Sequence, residues 1–318
     1  MRVLLMASGY HAGEIEVQAR AGVLDSARRI AGSVRAEIPP PARAFLAERR
    51  IVVVATVDAD GRPWASILTG KPGFAQALDE QTVRLSTAPA PGDPLVENLA
   101  TSMFLGLIAP DFATRRRMRV NGRLDRDSKG AILLRADQVY SNCPKYIQRR
   151  EGEAALSSET KPMARRLPGL EEQHRRWIRG ADTFFVATVH PESGADASHR
   201  GGMPGFVSVD GDRITWPDYA GNTMFNTLGN IAAYPRAGLV FPNFDTGAVL
   251  QFTGRAAINW DPTHVSRVAG AERLVAFEVE EAVEIVGALP LGLRLVDYSK
   301  FNPKGVIPPE PAVQQRNW

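Results

Sequence analysis

Between Ser198 and Thr227 the chain gathers the residue types that hold an anion. Ser198-His199-Arg200-Gly201 is followed by Pro217-Asp218-Tyr219, then by Asn222, Thr223, Asn226 and Thr227. An arginine presents a planar fork of donors that matches an oxyanion. Alternation along a strand puts Ser198 on the same face as Arg200 and His199 on the other. The polar run from Asn222 to Thr227 reads as the start of a helix, whose first N–H groups lack partners and favour negative charge. Metal chemistry is not expected. The histidines, His11, His174, His190, His199 and His264, fall in no ligand spacing, and the single cysteine excludes a disulfide or a cysteine-rich site. Cys143 itself reads as a small buried residue.

The elements that must position these residues are short and antiparallel. Phe184-Phe185-Val186-Ala187-Thr188-Val189 is a strand, the Ser198 segment is its hairpin partner, and Ile214-Thr215-Trp216 is a third strand. A short helix and two strands ending in Gly254-Arg255 complete a pattern expected of a small barrel with one helix over an opening. The same pattern occurs earlier. Ser66 precedes Ser198 by 132 positions, and the same shift superposes Ala55-Thr56 on Ala187-Thr188, Pro72-Gly73-Phe74 on Pro204-Gly205-Phe206, Asn98 on Asn230 and Gly122-Arg123 on Gly254-Arg255. A gap-free repeat of that length implies two copies of one barrel. The glycine of each Pro-Gly-Phe triplet is expected at a bulge within a strand.

The copies differ where the chemistry lies. Ser198-His199-Arg200 stands opposite Ser66-Ile67-Leu68, and Asn226-Thr227 stands opposite Pro94-Leu95. Only the second copy keeps the arginine and the polar helix start, so the anion site is expected there.

The block from Ser198 to Ala256 resembles the flavin-binding split barrel of the pyridoxamine 5'-phosphate oxidase-like superfamily, in particular its long tandem-barrel members. The resemblance implies a mainly β (α+β) fold of two split β-barrels with short helices, packed as a pseudo-dimer with flavin mononucleotide (FMN) in the groove between them. It implies a flavin-dependent oxidoreductase with hydride or electron transfer at flavin N5. The alternatives are a flavin- or heme-binding protein without turnover and a deazaflavin-dependent reductase. The cofactor set it implies is Ser198, His199, Arg200, Gly201, Pro217, Asp218, Asn222, Asn226, Thr227 and Gln251 from the second copy, with Lys145 reaching across from the first. Gly201 would allow a ring to approach the backbone closely, and Lys145 would place positive charge beside the ring. His199 and Lys145 are the candidate catalytic groups. The chain ends Gln314-Gln315-Arg316-Asn317-Trp318, unlike the substrate-binding segment of the vitamin B6 enzyme itself.

Composition fits a globular protein, with 44% hydrophobic and 23% charged residues and a formal charge of only +3. That balance, with no aromatic interleaving of basic residues, argues against a nucleic-acid partner. No stretch has the length of apolar sequence a membrane span needs. The expectation is a cytoplasmic protein acting on a small-molecule substrate or reductant and able to pair as a homodimer. Its expected divisions are an N-terminal helical and linker segment over 1–44, a degenerate barrel over 45–147 and a helical linker over 148–180. The flavin-phosphate-binding barrel covers 181–305 and an extended tail 306–318. The Pro39-Pro40-Pro41 triplet is read as linker.

Overall fold

The computed structural model describes residues 9–155 and 161–304. The expected extended tail lies outside them. Among the described residues three α-helices come first: α1 (Ala12–Arg20), α2 (Leu24–Ile30) and α3 (Pro40–Ala47). The proline triplet is a helix start rather than a linker. Pro39 is the N-cap and Pro40 opens α3, because a fixed φ suits the first turn and the missing N–H would have no partner there.

The first barrel comprises β1 (Ile51–Val57), β2 (Pro63–Thr69), β3 (Ala75–Ala77), β4 (Thr82–Leu85), α4 (Leu95–Thr101), β5 (Phe104–Asp111), β6 (Arg116–Arg126) and β7 (Ile132–Ser141). Between the copies lie β8 (Arg149–Ala155), β9 (Met163–Leu167) and α5 (Glu172–Gly180). The second barrel comprises β10 (Thr183–His190), β11 (Gly194–Gly201), β12 (Ser208–Asp210), β13 (Arg213–Tyr219), α6 (Asn226–Ala233), β14 (Arg236–Pro242), β15 (Val249–Asn259), α7 (Pro262–Val265) and β16 (Ala271–Val286). β17 (Leu291–Asp297) follows.

The duplication is exact at the level of topology. The first sheet runs β2-β1-β5-β6-β7-β4-β3 and the second β11-β10-β14-β15-β16-β13-β12, the same order under the repeat. Register agrees too, with Val54 opposite Ser66 in one copy and Val186 opposite Ser198 in the other. Neither sheet closes on itself, as a split barrel requires. Gly73 and Gly205 sit at φ +92° and +89° in the turns that follow β2 and β11, not at a bulge within a strand.

Why Ile51-Val52-Val53-Val54-Ala55 is apolar without a break is now clear. Val52 and Val54 face the core of their own barrel, while Ile51, Val53 and Ala55 enter a third core shared with Phe185, Ala187, Val240 and Val249 of the second copy. A strand buried on both faces loses the alternation of a half-exposed one. The two copies meet about a pseudo-two-fold axis. A Cβ on Gly106 would lie 2.7 Å from the Ala195 carbonyl oxygen, and a Cβ on its counterpart Gly238 would lie 2.5 Å from that of Pro63. Only glycine permits this approach at both places.

One expectation changes. Among its described residues the 148–180 stretch is helical only in α5; β8 pairs with β17, and β9 extends the second sheet beside β16. These distant strands offer main-chain pairing that outweighs the local helix preference of a charged sequence. The N-terminal segment also reaches the second barrel. α1 packs on α6 of the second, where a Cβ on Gly13 would meet the Gly229 carbonyl at 2.3 Å.

Candidate functional site

The strand β11 ends at Gly201 beside the opening of α6, and the space between them widens into a cleft of about 540 Å³. Its walls come from both copies and from the N-terminal segment: Arg117, Arg119, Lys145 and Tyr146 on one side, Arg200, Asp218 and Arg273 on the other, with Arg20 at the rim. Of the residues singled out from sequence, His199, Arg200, Gly201, Pro217, Asp218, Asn222, Asn226, Thr227 and Lys145 line it.

Helix α6 opens on the cleft without a side-chain cap. Its N-cap, Phe225, is held at φ +62° and contributes no acceptor. Thr223 (φ +62°) and Tyr146 (φ +65°) are also left-handed, so three of the four non-glycine residues with positive φ among the described residues line this cleft. Such backbone costs about 1–2 kcal/mol per residue and persists where the surroundings enforce it, often at binding sites.

The charges around the helix opening are dense and mostly positive. Arg200 approaches Asp218 at 4.0 Å, and its Nε is buried without a hydrogen-bond partner. Arg273, facing Asp218 across the β13–β16 pair, sets its Nε 3.1 Å from the same carboxylate and leaves Nη1 unpartnered. Its guanidinium stacks on Phe225 at 4.6 Å and on Trp260 at 5.2 Å, and Arg20 covers Trp260 at 4.6 Å. Burial lifts the Asp218 carboxyl above its ordinary range, against the pull of Arg200 and Arg273. From the first copy, Arg119 donates to both Asp196 oxygens at 3.1 and 3.0 Å. Among the described residues Arg117 has no carboxylate partner; burial, with Arg119 and Arg200 nearby, brings its guanidinium down to about 9. A site with this surplus of cations and unpartnered N–H groups is complementary to an anion.

Several placements differ from expectation. Ser198 is fully buried beneath the cleft, where its hydroxyl accepts from Thr227 Oγ1 at 3.0 Å and ties β11 to α6. Asn222 Oδ1 accepts from the Met224 N–H and shapes the loop. Gly201 makes room for protein rather than for a ring: a Cβ there would sit 2.0 Å from the Tyr146 carbonyl oxygen. His199 and Arg200 both line the cleft although they alternate, because the cleft wraps the end of β11 and so receives both faces. Cys143 is exposed at the rim, not buried.

Gln251, expected at the same site, lies instead in the counterpart site of the first barrel. The pseudo-two-fold exchanges partners, so β15 serves the first copy's helix while β6 serves the second's. There Gln251 Nε2 donates to the Ala65 carbonyl at 2.9 Å, Ser66 Oγ at 3.1 Å and Asp93 Oδ2 at 3.2 Å. Asp93 Oδ1 accepts from Ser66 Oγ at 2.6 Å and from the Leu95 N–H at 2.8 Å. The carboxylate of Asp93 thus occupies the anion position of the first copy. Its counterpart in the second copy is Phe225, which leaves that position open.

Three features of the open site have no signal in the sequence: Arg273, the Arg119–Asp196 pair, and the roof formed by α1. Within that roof Glu14 is buried, accepting from Asn226 Nδ2 at 2.7 Å and from the His11 N–H at 2.9 Å. Burial, with a contribution from Asp196, raises its carboxyl from 4.5 to about 8. Tyr10 and Tyr140 also face this carboxyl, and His11 beside it is neutral, lowered to about 4 by burial. A raised carboxyl favours the fold while protonated. Its contribution is complete below pH 4.5 and is lost as pH rises through about 8. The stability of the native chain relative to a Glu14→Gln variant should therefore decline across that window and level off above it. Parallel stability–pH curves in denaturant melts would contradict this.

Among the described residues no helix is long and apolar enough to cross a membrane, and no cluster of three or more histidine, cysteine or carboxylate residues could hold a metal ion. A family model for pyridoxamine 5'-phosphate oxidase matches the chain twice, over residues 38–158 and 170–285. Solved structures give more distant likenesses. HupZ of group A Streptococcus is 14% identical, covering 36% of this chain and 91% of that one at a TM-score of 0.30. An FAD-binding protein from Mesorhizobium loti is 10% identical, covering 39% and 98% at 0.28. A protein from Clostridium acetobutylicum related to general stress protein 26 of B. subtilis is 10% identical, covering 40% and 92% at 0.31. No curated protein matches the chain.

Proposed function

The chain belongs to the pyridoxamine 5'-phosphate oxidase family, carrying its barrel twice, and from that premise we propose that the open cleft binds FMN and that the protein is a flavin-dependent oxidoreductase. The observation that carries this reading is the contrast between the copies. One anion position is filled internally by Asp93; the other presents Arg200, Arg273 and an uncapped helix, and among the described residues no carboxylate takes the place that Asp93 holds in the first copy.

The residues present fit the cofactor's chemistry. The buried, unpartnered Nε of Arg200 and the first N–H groups of α6 suit a phosphate. Bound flavin would supply hydride chemistry at its ring, and the protein's part is orientation and charge. Arg200, Arg273 and the backbone N–H of Thr227 would take the phosphate end. Lys145 and Arg117, on the first copy's side, would put positive charge beside the ring, and Tyr146, its ring tilted against Tyr219 at 5.1 Å, would shield that side from water.

The test is spectroscopic. The full chain mixed with FMN and passed through a desalting column should retain a visible flavin band that bleaches with dithionite. A colourless eluate would remove the flavin from this account.

A further inference from the structure

The reading above leaves one buried contact unused, that between Arg117 and His199, and it belongs to the open site alone. Arg117 Nη1 lies 2.7 Å from His199 Nδ1, while Arg117 Nη2 donates to the Cys143 carbonyl at 2.8 Å and to that of Lys145 at 3.3 Å. A guanidinium has donors and no acceptor. The Nδ1 facing it must therefore carry the lone pair, and the ring proton must be on Nε2. The imidazole is only 4% exposed, set edge-on to Phe185 at 5.4 Å, and it lines the cleft with a buried Nε2 that has no hydrogen-bond partner. Burial and the positive charges of Arg117, Arg200, Arg119 and Arg150 hold it neutral, well below its ordinary range.

The duplicated chain supplies an independent comparison. The counterparts of His199 and Arg117 in the closed site are Ile67 and Val249, and both belong to the apolar core between the barrels. Where the anion position is filled by Asp93, both members of the pair are hydrocarbon. Where it is open, both are polar. A pair needed only to join the barrels would have no reason to follow the open site.

We propose that Arg117 is a positioning residue that fixes His199 as the Nε2–H tautomer, so that His199 offers one neutral donor to an acceptor atom, a carbonyl oxygen or ring nitrogen, of the bound flavin. This rests on the flavin reading of the cleft. It assigns to the histidine neither proton transfer nor positive charge: a neutral donor orients the ring, and the surrounding arginines keep the imidazole from titrating. Only a group presenting an acceptor satisfies the Nε2–H, since a second donor there would leave both unpaired in a buried place.

The experiment is nitrogen NMR of the full chain labelled at histidine, first without and then with FMN. Without FMN, His199 should show the Nε2-protonated pattern and should not titrate through neutral pH. In Arg117→Met the fixed tautomer should be lost, and in Arg117→Lys, which still donates to Nδ1, it should persist. On adding FMN the His199 Nε2 resonance should shift. His199→Leu should weaken FMN binding about fivefold, the size of one neutral hydrogen bond, and Arg117→Met in the same background should add less than it does alone. An Nδ1-protonated or doubly protonated ring in the free protein would overturn the tautomer assignment. FMN binding, seen by quenching of its fluorescence, with no movement at Nε2 would overturn the donor role while leaving the flavin reading intact. No FMN binding with the tautomer as described would sink the flavin reading and the ligand named here, but not the geometry of the pair.

Discussion

Replacing Arg200 with alanine should weaken FMN binding about 10- to 100-fold, the loss of a charge-assisted hydrogen bond to phosphate, while leaving riboflavin binding nearly unchanged. The argument is geometric. Arg200 is the one arginine of the Ser198-His199-Arg200 run. It sits beside the uncapped end of α6, and its Nε is buried with no hydrogen-bond partner among the described residues. Asp218 remains held by Arg273 at 3.1 Å after the substitution, so the variant does not strand that buried carboxylate. Arg200→Lys should fall between, keeping the charge and losing the fork. The discriminating quantity is the ratio of FMN to riboflavin affinity. It should collapse towards unity in Arg200→Ala; an equal loss for both ligands would place Arg200 away from the phosphate.

The second large effect concerns the closed site and reads stability. Asp93→Ala should destabilise the fold by about 2–4 kcal/mol, because it leaves three donors facing a buried vacancy. Ser66 Oγ, the Leu95 N–H and Gln251 Nε2 all converge on that carboxylate, and Gln251 comes from the other barrel. The loss should appear as a fall in melting temperature of about 2–4 °C per kcal/mol for a chain of this size. Burial raises the Asp93 carboxyl above its ordinary range, and the three hydrogen bonds oppose that shift. Opening the plug should not create a second flavin site, since Leu68 and Val249 stand where the open site has Arg200 and Arg117. A variant as stable as the native chain would mean that the carboxylate is not the group holding this site closed. A gain of a second FMN would mean that the arginines are dispensable.

Much of this architecture was legible in the sequence because a duplication writes its own alignment. The shift that pairs Ser66 with Ser198 also pairs β1 with β10 and β6 with β15, and the structure keeps both topology and register. The difference between copies likewise marked Arg200 and the start of α6. What the sequence could not carry was the direction in which each strand serves the other barrel. Gln251 aligns with Arg119, and nothing local says that a residue on β15 completes the first copy's site. The same gap hid the Asp93 plug, a single carboxylate whose role depends on donors from β2, α4 and β15. The roof of the cleft was hidden for another reason. α1 docks on α6 through a glycine contact, Gly13 against Gly229, that leaves no periodic pattern. Arg273 shows no mark at all: its place opposite Asp218 follows from the pairing of β13 with β16. In the 148–180 stretch local helix preference was the visible signal, and pairing with β16 and β17 overrode it.

The central claim is that two barrels make one flavin site, and a titration of the full chain with FMN, followed by fluorescence quenching at protein concentrations well above the dissociation constant, tests it directly. The account predicts a break at one FMN per chain, retained in Asp93→Ala and displaced to far weaker binding in Arg200→Ala. A break at two per chain, or no saturable binding, would contradict it.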